Sequence, residues 1–187
     1  MIQILDINLP PETNFKIMQT LRHYEGWKLG YDTKEGTNLD RPLAGLQART
    51  YDMTLDECIY VDNDVRDHKR RNALNLYADI VLDIIKTKIK YKVSNIFRFN
   101  YNYYDPVALT EWHTDIDIYN KYMSFLYNPH TNDGGTEFNL NGEIIKFDSI
   151  AGQCLMFPST IKHRGLPPIK NAGRYSMNIM VEIENGY

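Results

Sequence analysis

The sequence predicts an α+β, mainly β protein in which N-terminal helices support an antiparallel barrel or sandwich of short strands. Three observations carry this expectation. Apolar residues at helical spacing are confined to the chain before about residue 90, alternating strand-like segments fill the rest, and Asn141-Gly142 joins two of those segments as a tight turn.

Pro11-Glu12-Thr13-Asn14 leads into Phe15, Ile17, Met18 and Leu21, which predicts a first helix. A longer one is expected after Asp62, where Leu74, Tyr77, Ile80, Val81, Ile84 and Ile85 recur at three- and four-residue steps. That spacing makes one apolar stripe, which should lie against a sheet. Strands are expected at residues 94–104, 122–127, 136–140, 143–147, 153–157 and 174–184. Glu137-Phe138-Asn139-Leu140 and Glu143-Ile144-Ile145-Lys146 flank Asn141-Gly142, a pair that suits a two-residue hairpin because both positions want positive φ.

With 187 residues and 43% apolar side chains, the chain is expected to form one domain, 1–187. No repeat or composition break marks a second one. The net charge of −3 supplies no global positive field for nucleic acid or an anionic membrane. The local basic runs, His68-Lys69-Arg70-Arg71 and Lys86, Lys88, Lys90 and Lys92, read as solvated surface. An acid at Asp6 and Pro10-Pro11 interrupt the N-terminal segment before it reaches signal-peptide length, and no later run approaches a membrane span. A soluble, cytoplasmic protein is the expectation. Cys58 and Cys154 lack metal-ligand spacing and read as isolated thiols.

Two of the five histidines stand where a metal site would need them. In His113-Thr114-Asp115 an imidazole and a carboxylate sit two residues apart, so on an extended chain both leave the same face. His163 follows the strand-like Cys154-Leu155-Met156-Phe157 and its Pro158-Ser159 turn, and is the candidate third ligand. Two neutral imidazoles and one carboxylate leave open positions on an octahedral ion, an arrangement suited to Fe(II) that binds a chelating co-substrate and O₂. His130, His23 and His68 read as loop, helix or linker residues.

A dicarboxylate co-substrate needs a fixed cation at its far end, and guanidinium offers a rigid two-donor fork. Arg174 lies eleven residues after His163, beyond a turn-rich segment that lets the next strand run back beside the first. Ser176 shares its face and can add a hydroxyl. Arg164, an immediate neighbour of His163, should point away from the metal.

Taken in order, His113-Thr114-Asp115, Asp133-Gly134-Gly135-Thr136-Glu137-Phe138, Phe157-Pro158-Ser159 with His163-Arg164-Gly165, and Arg174-Tyr175-Ser176 resemble the 2-oxoglutarate and Fe(II)-dependent dioxygenases, in their prolyl 4-hydroxylase-like branch. The resemblance covers residues 94–183. It implies a double-stranded β-helix, or jelly roll of cupin-like form, with residues 91–187 as the core holding the metal site and 1–90 as helical and strand support. It also implies Fe(II), 2-oxoglutarate and O₂ as cofactor and co-substrates, ascorbate as a candidate reductant, and C–H hydroxylation with release of succinate and CO₂. A tyrosine before the His-x-Asp pair should bind the co-substrate. Tyr101, Tyr103 and Tyr104 are available, with Tyr103 favoured.

Relatives that repair alkylated nucleic acid carry a second arginine soon after the position of Arg174, and residues 177–187 contain none, which argues against nucleic acid as a partner. A prolyl or other side chain of a protein or peptide is the first expectation for substrate, with Trp112, Tyr119 and Tyr122 as possible groove aromatics. A free amino acid or small metabolite is the second. Two rival readings are a cupin-like metalloenzyme that does not use 2-oxoglutarate, and a non-catalytic jelly-roll module. The first has no use for Arg174, and the second predicts no stoichiometric metal.

Overall fold

The computed structural model describes residues 2–24, 27–29, 46–52, 68–108, 110–116, 121–170 and 173–184. Cys58 and Tyr119 lie outside the described residues. In chain order the elements are β1 (Gln3–Asp6), α1 (Pro11–Arg22), β2 (Lys28–Leu29), β3 (Leu46–Asp52), α2 (His68–Lys88), β4 (Val93–Tyr104), β5 (Tyr122–Tyr127), β6 (Asn132–Leu140), β7 (Glu143–Ser149), β8 (Gln153–Pro158), β9 (Lys162–Leu166) and β10 (Arg174–Ile183). They form a seven-stranded sheet in the order β1-β8-β5-β10-β4-β3-β2 and a three-stranded sheet in the order β7-β6-β9.

Pro11 opens α1, where its missing N–H forfeits no helical bond, and Glu12 and Arg22 suit the dipole at the two ends. Ile17 and Leu21 are its buried face. In α2 the buried stripe is Leu74, Ala78, Val81, Leu82 and Ile85, with Tyr77, Ile80 and Ile84 packed at its margins. Both helices cover one face of the large sheet, meeting Phe99 and Tyr101 of β4, Phe125 and Tyr127 of β5, and Ile179 and Val181 of β10. This is the main core, and each fully buried aliphatic side chain in it contributes about 1.5–3 kcal/mol.

The other face of the large sheet turns toward the small one. Leu126, Phe138, Leu155 and Phe157 form a compact apolar cluster between them. The hairpin β6–β7 closes at Asn141 and Gly142, with φ of 55° and 97°, and the Gly142 N–H donates to Asn139 Oδ1 at 2.7 Å.

Four strands escape the reading of apolar alternation. β1 and β2 are only four and two residues long, and β3 lies in the region where helical signals dominate. β9 reads Lys-His-Arg-Gly-Leu, too polar to announce itself, and is drawn into the small sheet by its ladder to β6. Lys86, Lys88, Lys90 and Lys92 are exposed, and Cys154 is a buried free thiol. Among the described residues no helix is long and apolar enough to cross a membrane.

Candidate active site

The His113-Thr114-Asp115 segment runs between β4 and β5 and is tied directly to β9. The His113 N–H donates to His163 O at 2.9 Å, and the His163 N–H returns to His113 O at 2.8 Å. This antiparallel bridge sets the two imidazoles side by side, with ring centroids 4.4 Å apart. The Asp115 N–H donates to Ser159 O at 2.9 Å, which turns the carboxylate back toward the same point. One ligand atom from each of His113, Asp115 and His163 lies within 4.8 Å of the others.

The hydrogen bonds of the two rings decide which nitrogen is offered. Nδ1 of His113 faces Glu111 O at 3.1 Å, and Nδ1 of His163 faces Ile161 O at 2.9 Å. A carbonyl only accepts, so each Nδ1 carries the proton and each Nε2 keeps its lone pair for a ligand role. Phe138 stacks on His163 at 5.7 Å and Phe157 meets it edge-on at 4.8 Å, which fixes the ring plane in a dry setting. Burial pushes the His163 imidazole below its usual range, against the opposing pull of Asp115.

Asp115 is the most heavily supported group in the site. Ser124 donates to Oδ2, Asn178 Nδ2 to Oδ1 and Oδ2 at 3.1 and 3.2 Å, and Arg98 Nη2 to Oδ1 at 3.3 Å and to the Asp115 carbonyl at 3.1 Å. Ser124 in turn meets Ser159 at 2.8 Å. Burial alone would raise the carboxyl pKa, but His163, Arg98, His113 and the Ser124 hydrogen bond outweigh it and bring it to about 2. The group is ionised at neutral pH and so offers its charge to a cation without first losing a proton.

Arg174, 1% exposed, occupies the first position of β10 on the same inner face. Its Nη2 donates to Thr136 Oγ1 at 3.0 Å, its Nη1 to Leu166 O at 3.5 Å, and its guanidinium lies 5.3 Å from the centre of the Tyr104 ring. The buried Nε–H has no hydrogen-bond partner. Among the described residues no ion pair to Arg174 is found, so burial works against its charge. A buried guanidinium in this state calls for an acid. Gly134 makes room for it, since a Cβ there would fall 2.7 Å from Leu166 O and 3.1 Å from Arg174 Cδ. Ser176 is fully buried one position further along this face, and Asn102 Nδ2 reaches its Oγ at 3.4 Å.

The tyrosine expectation is corrected by the strand register. β10 pairs Arg174 with Tyr104, Tyr175 with Tyr103 and Ser176 with Asn102. Tyr103 therefore faces the helices, packed against Tyr175 at 4.8 Å and Trp27 at 6.3 Å, and cannot reach the Arg174 side. Tyr101 shares that outer face and donates its hydroxyl to Leu74 O at 2.6 Å. Tyr104 is the tyrosine turned inward. Its ring fills the space over Gly165, where a Cβ would come within 2.6 Å of both Cζ and the hydroxyl. Gly165→Ala is expected to displace Tyr104 and, on the dicarboxylate reading that the sequence raises, to weaken 2-oxoglutarate binding by about tenfold, consistent with one disturbed hydrogen bond of about 1.5 kcal/mol. Unaltered affinity in a folded Gly165→Ala protein would show that Tyr104 plays no part.

Arg164 points outward as expected, paired with Glu137 at 2.7 Å and lying 4.7 Å over Trp112. Tyr122 packs on Phe97 at 5.1 Å. His130 is more than a loop residue: its Nε2 accepts the Tyr175 N–H at 3.0 Å and anchors the start of β10. Burial, then Arg174 and Arg22, hold its pKa down to about 4, so it remains a neutral acceptor. Sequence reasoning assigned no individual role to Arg98, Ser124, Asn178 or Thr136. The signal for the first and third was present as polar residues at alternate positions, Arg98-x-Asn100-x-Asn102 in β4 and Arg174-x-Ser176-x-Asn178 in β10.

No family model and no curated protein matches the sequence. Solved structures do match. A prolyl hydroxylase from Trichoplax adhaerens, in complex with a hypoxia inducible factor oxygen degradation domain peptide, superposes with a TM-score of 0.70 at 17% identity, covering 98% of this chain and 84% of that one. A Pseudomonas putida prolyl-4-hydroxylase gives a TM-score of 0.60 at 15% identity over 97% of this chain and 91% of its own. HygX from Streptomyces hygroscopicus, solved with nickel and 2-oxoglutarate bound, gives 0.62 at 8% identity over 98% and 83%. At these identities the likeness is one of architecture: the chain has the mainly β, double-stranded β-helix fold of these prolyl hydroxylases and of HygX.

Proposed function

We propose that the protein is a 2-oxoglutarate- and Fe(II)-dependent dioxygenase that hydroxylates a C–H bond, releasing succinate and CO₂. The observation that carries this reading is a guanidinium, Arg174, buried without an ion-pair partner among the described residues on the face that also bears the His113, Asp115 and His163 cluster. A cupin-like metalloenzyme working without 2-oxoglutarate would keep the cluster and gain nothing from burying Arg174.

The residues present fit both groups. Two imidazole Nε2 atoms and an ionised carboxylate form a donor set suited to Fe(II), and the orphaned Arg174 Nε–H suits the distal carboxylate of a dicarboxylic acid. Once bound, iron and 2-oxoglutarate supply the activation of O₂ and the oxidising power for hydroxylation. The chain does the rest. His113, Asp115 and His163 would hold the ion, and Ser124, Asn178 and Arg98 keep the carboxylate aimed. Arg174 and Thr136, roofed by Tyr104, would orient the co-substrate from its far end, with Ser176 alongside. Phe138 and Phe157 keep water from the His163 side. The Trichoplax enzyme's peptide complex supports a protein or peptide side chain as the target.

Anaerobic addition of Fe(II) and then 2-oxoglutarate should produce the weak visible charge-transfer band of the chelate, at one iron per chain. A well-folded protein that shows no band would overturn the assignment.

A further inference from the structure

Beside Asp115 the inner face is more polar than support of one carboxylate requires. Arg98 and Asn100 of β4 and Asn178 of β10 are 9%, 1% and 4% exposed, and the register sets Asn178 opposite Asn100 with Arg98 opposite Met180. Each has a hydrogen-bonding atom left over. Asn178 gives its Nδ2 to Asp115, but its Oδ1 has no partner. Arg98 gives Nη2 to Asp115, but its Nε has none, and the same holds for Asn100 Oδ1. A buried polar group left unsatisfied costs about 1–3 kcal/mol, so three in one patch are a standing expense unless something enters to meet them.

Charge points the same way. Among the described residues the buried ionised side chains are Asp115, Arg98 and Arg174. A divalent ion and doubly charged 2-oxoglutarate cancel each other, which leaves one carboxylate against two guanidinium groups. The loaded site thus keeps one net positive charge where water is scarce, and a desolvated charge of that kind seeks a counter-ion.

The geometry makes Arg98 the place where that counter-ion would sit. Arg174 is taken up by the co-substrate on the reading above, whereas the Arg98 side chain retains 11% exposure and borders the ligand Asp115. A bulge in β4 helps to aim it: Ile96 pairs with Val181 and Arg98 with Met180, so Phe97 is the extra residue. Phe97 then joins Tyr122 and Met180 in an apolar cluster with Ile116 at its edge. A cation, two amides and an apolar wall beside the His113, Asp115 and His163 cluster form a recognition site for an amphipathic acid.

We propose that Arg98, assisted by Asn100 and Asn178, recognises a carboxylate that the substrate carries close to the carbon to be hydroxylated. This inference rests on the Fe(II) and 2-oxoglutarate reading and adds the group the substrate must present. An unadorned prolyl ring has no acceptor for Arg98. The carboxylate comes either from a free amino acid or from an acidic residue of a peptide, and both sources present the same chemistry to the guanidinium.

The test uses full-length protein loaded with Fe(II) and saturating 2-oxoglutarate without oxygen, titrated by calorimetry. The probes are the free L-amino acids paired with their carboxamides, and short peptides containing Asp or Glu paired with their Asn or Gln counterparts. At least one acid should bind about tenfold or more tightly than its amide, the ratio expected for a charge-assisted hydrogen bond. In Arg98→Gln that ratio should fall to near one, with partial recovery in Arg98→Lys. Reading the ratio separates recognition from support: if Arg98 serves only to position Asp115, acid and amide weaken together and the ratio is unchanged, which overturns the proposal. Wild-type protein that binds iron and 2-oxoglutarate yet prefers no acid also overturns it, while leaving the dioxygenase reading intact. Protein that fails to bind 2-oxoglutarate removes both. Preference among the free acids identifies a small-molecule substrate, and preference among the acidic peptides a protein one.

Discussion

Arg174→Ala should raise the 2-oxoglutarate concentration needed for half-saturation by about two orders of magnitude, which corresponds to losing about 2–4 kcal/mol of charge-assisted hydrogen bonding in a dry site. The size of the effect follows from burial. An exposed arginine would be screened and worth little, but this one is 1% exposed, rests on Thr136 and lies against Tyr104. Arg174→Lys should recover only part of the loss, because an ammonium offers a point charge where the planar fork offered two parallel donors. Binding followed through the visible chelate band, with circular dichroism to confirm the fold, makes the comparison. Equal affinity in the alanine variant would take Arg174 out of the site, and with it the case for a dicarboxylate co-substrate.

The proposed metal ligands should separate in a second way. His113→Ala and Asp115→Ala are both expected to lose turnover to background and to fall well below one iron per chain. Their folds should not respond alike. His113 is half-buried at the site's rim, so its loss should leave the metal-free protein close to wild-type stability. Asp115 is fully buried and is the acid that Arg98 and Asn178 share. Removing it strands a guanidinium inside the protein, at a cost of about 3–5 kcal/mol. Thermal melts of the metal-free proteins distinguish the two. If Asp115→Ala melts with His113→Ala, the network around the carboxylate does not hold the fold as the structure indicates.

Much of the site could be read from local geometry. His113 and Asp115 share a face because extended chain alternates, and Arg174 and Ser176 do so for the same reason. The turn at Asn141-Gly142 declared itself because few other dipeptides tolerate positive φ at both positions. Tyr103 and Tyr104 show where such reading ends. Alternation puts them on opposite faces of β4, but both faces of that strand are covered, one by α1 and α2 and the other by the Asp115 segment and, at Tyr104, by β9. Which face looks toward Arg174 is a matter of pairing with β10. Arg98 was assigned no role for a related reason: a strand arginine normally reaches solvent, and only the crossing of the Asp115 segment over β4 and β10 turns it into an interior residue.

The amino-acid order alone determined the two helices, the long strands from β4 onward other than β9, the hairpin, and which side chains leave each strand together, since these depend on φ, ψ and the pleat within a few residues. Only the tertiary structure decided that the polar edge of β4 and β10 lies indoors, that His163 stands beside His113, and that Tyr104 and Arg98 border the site. Those outcomes depend on which surfaces are brought together from distant parts of the chain, and the period of a single strand is the same whether water or a second sheet covers it.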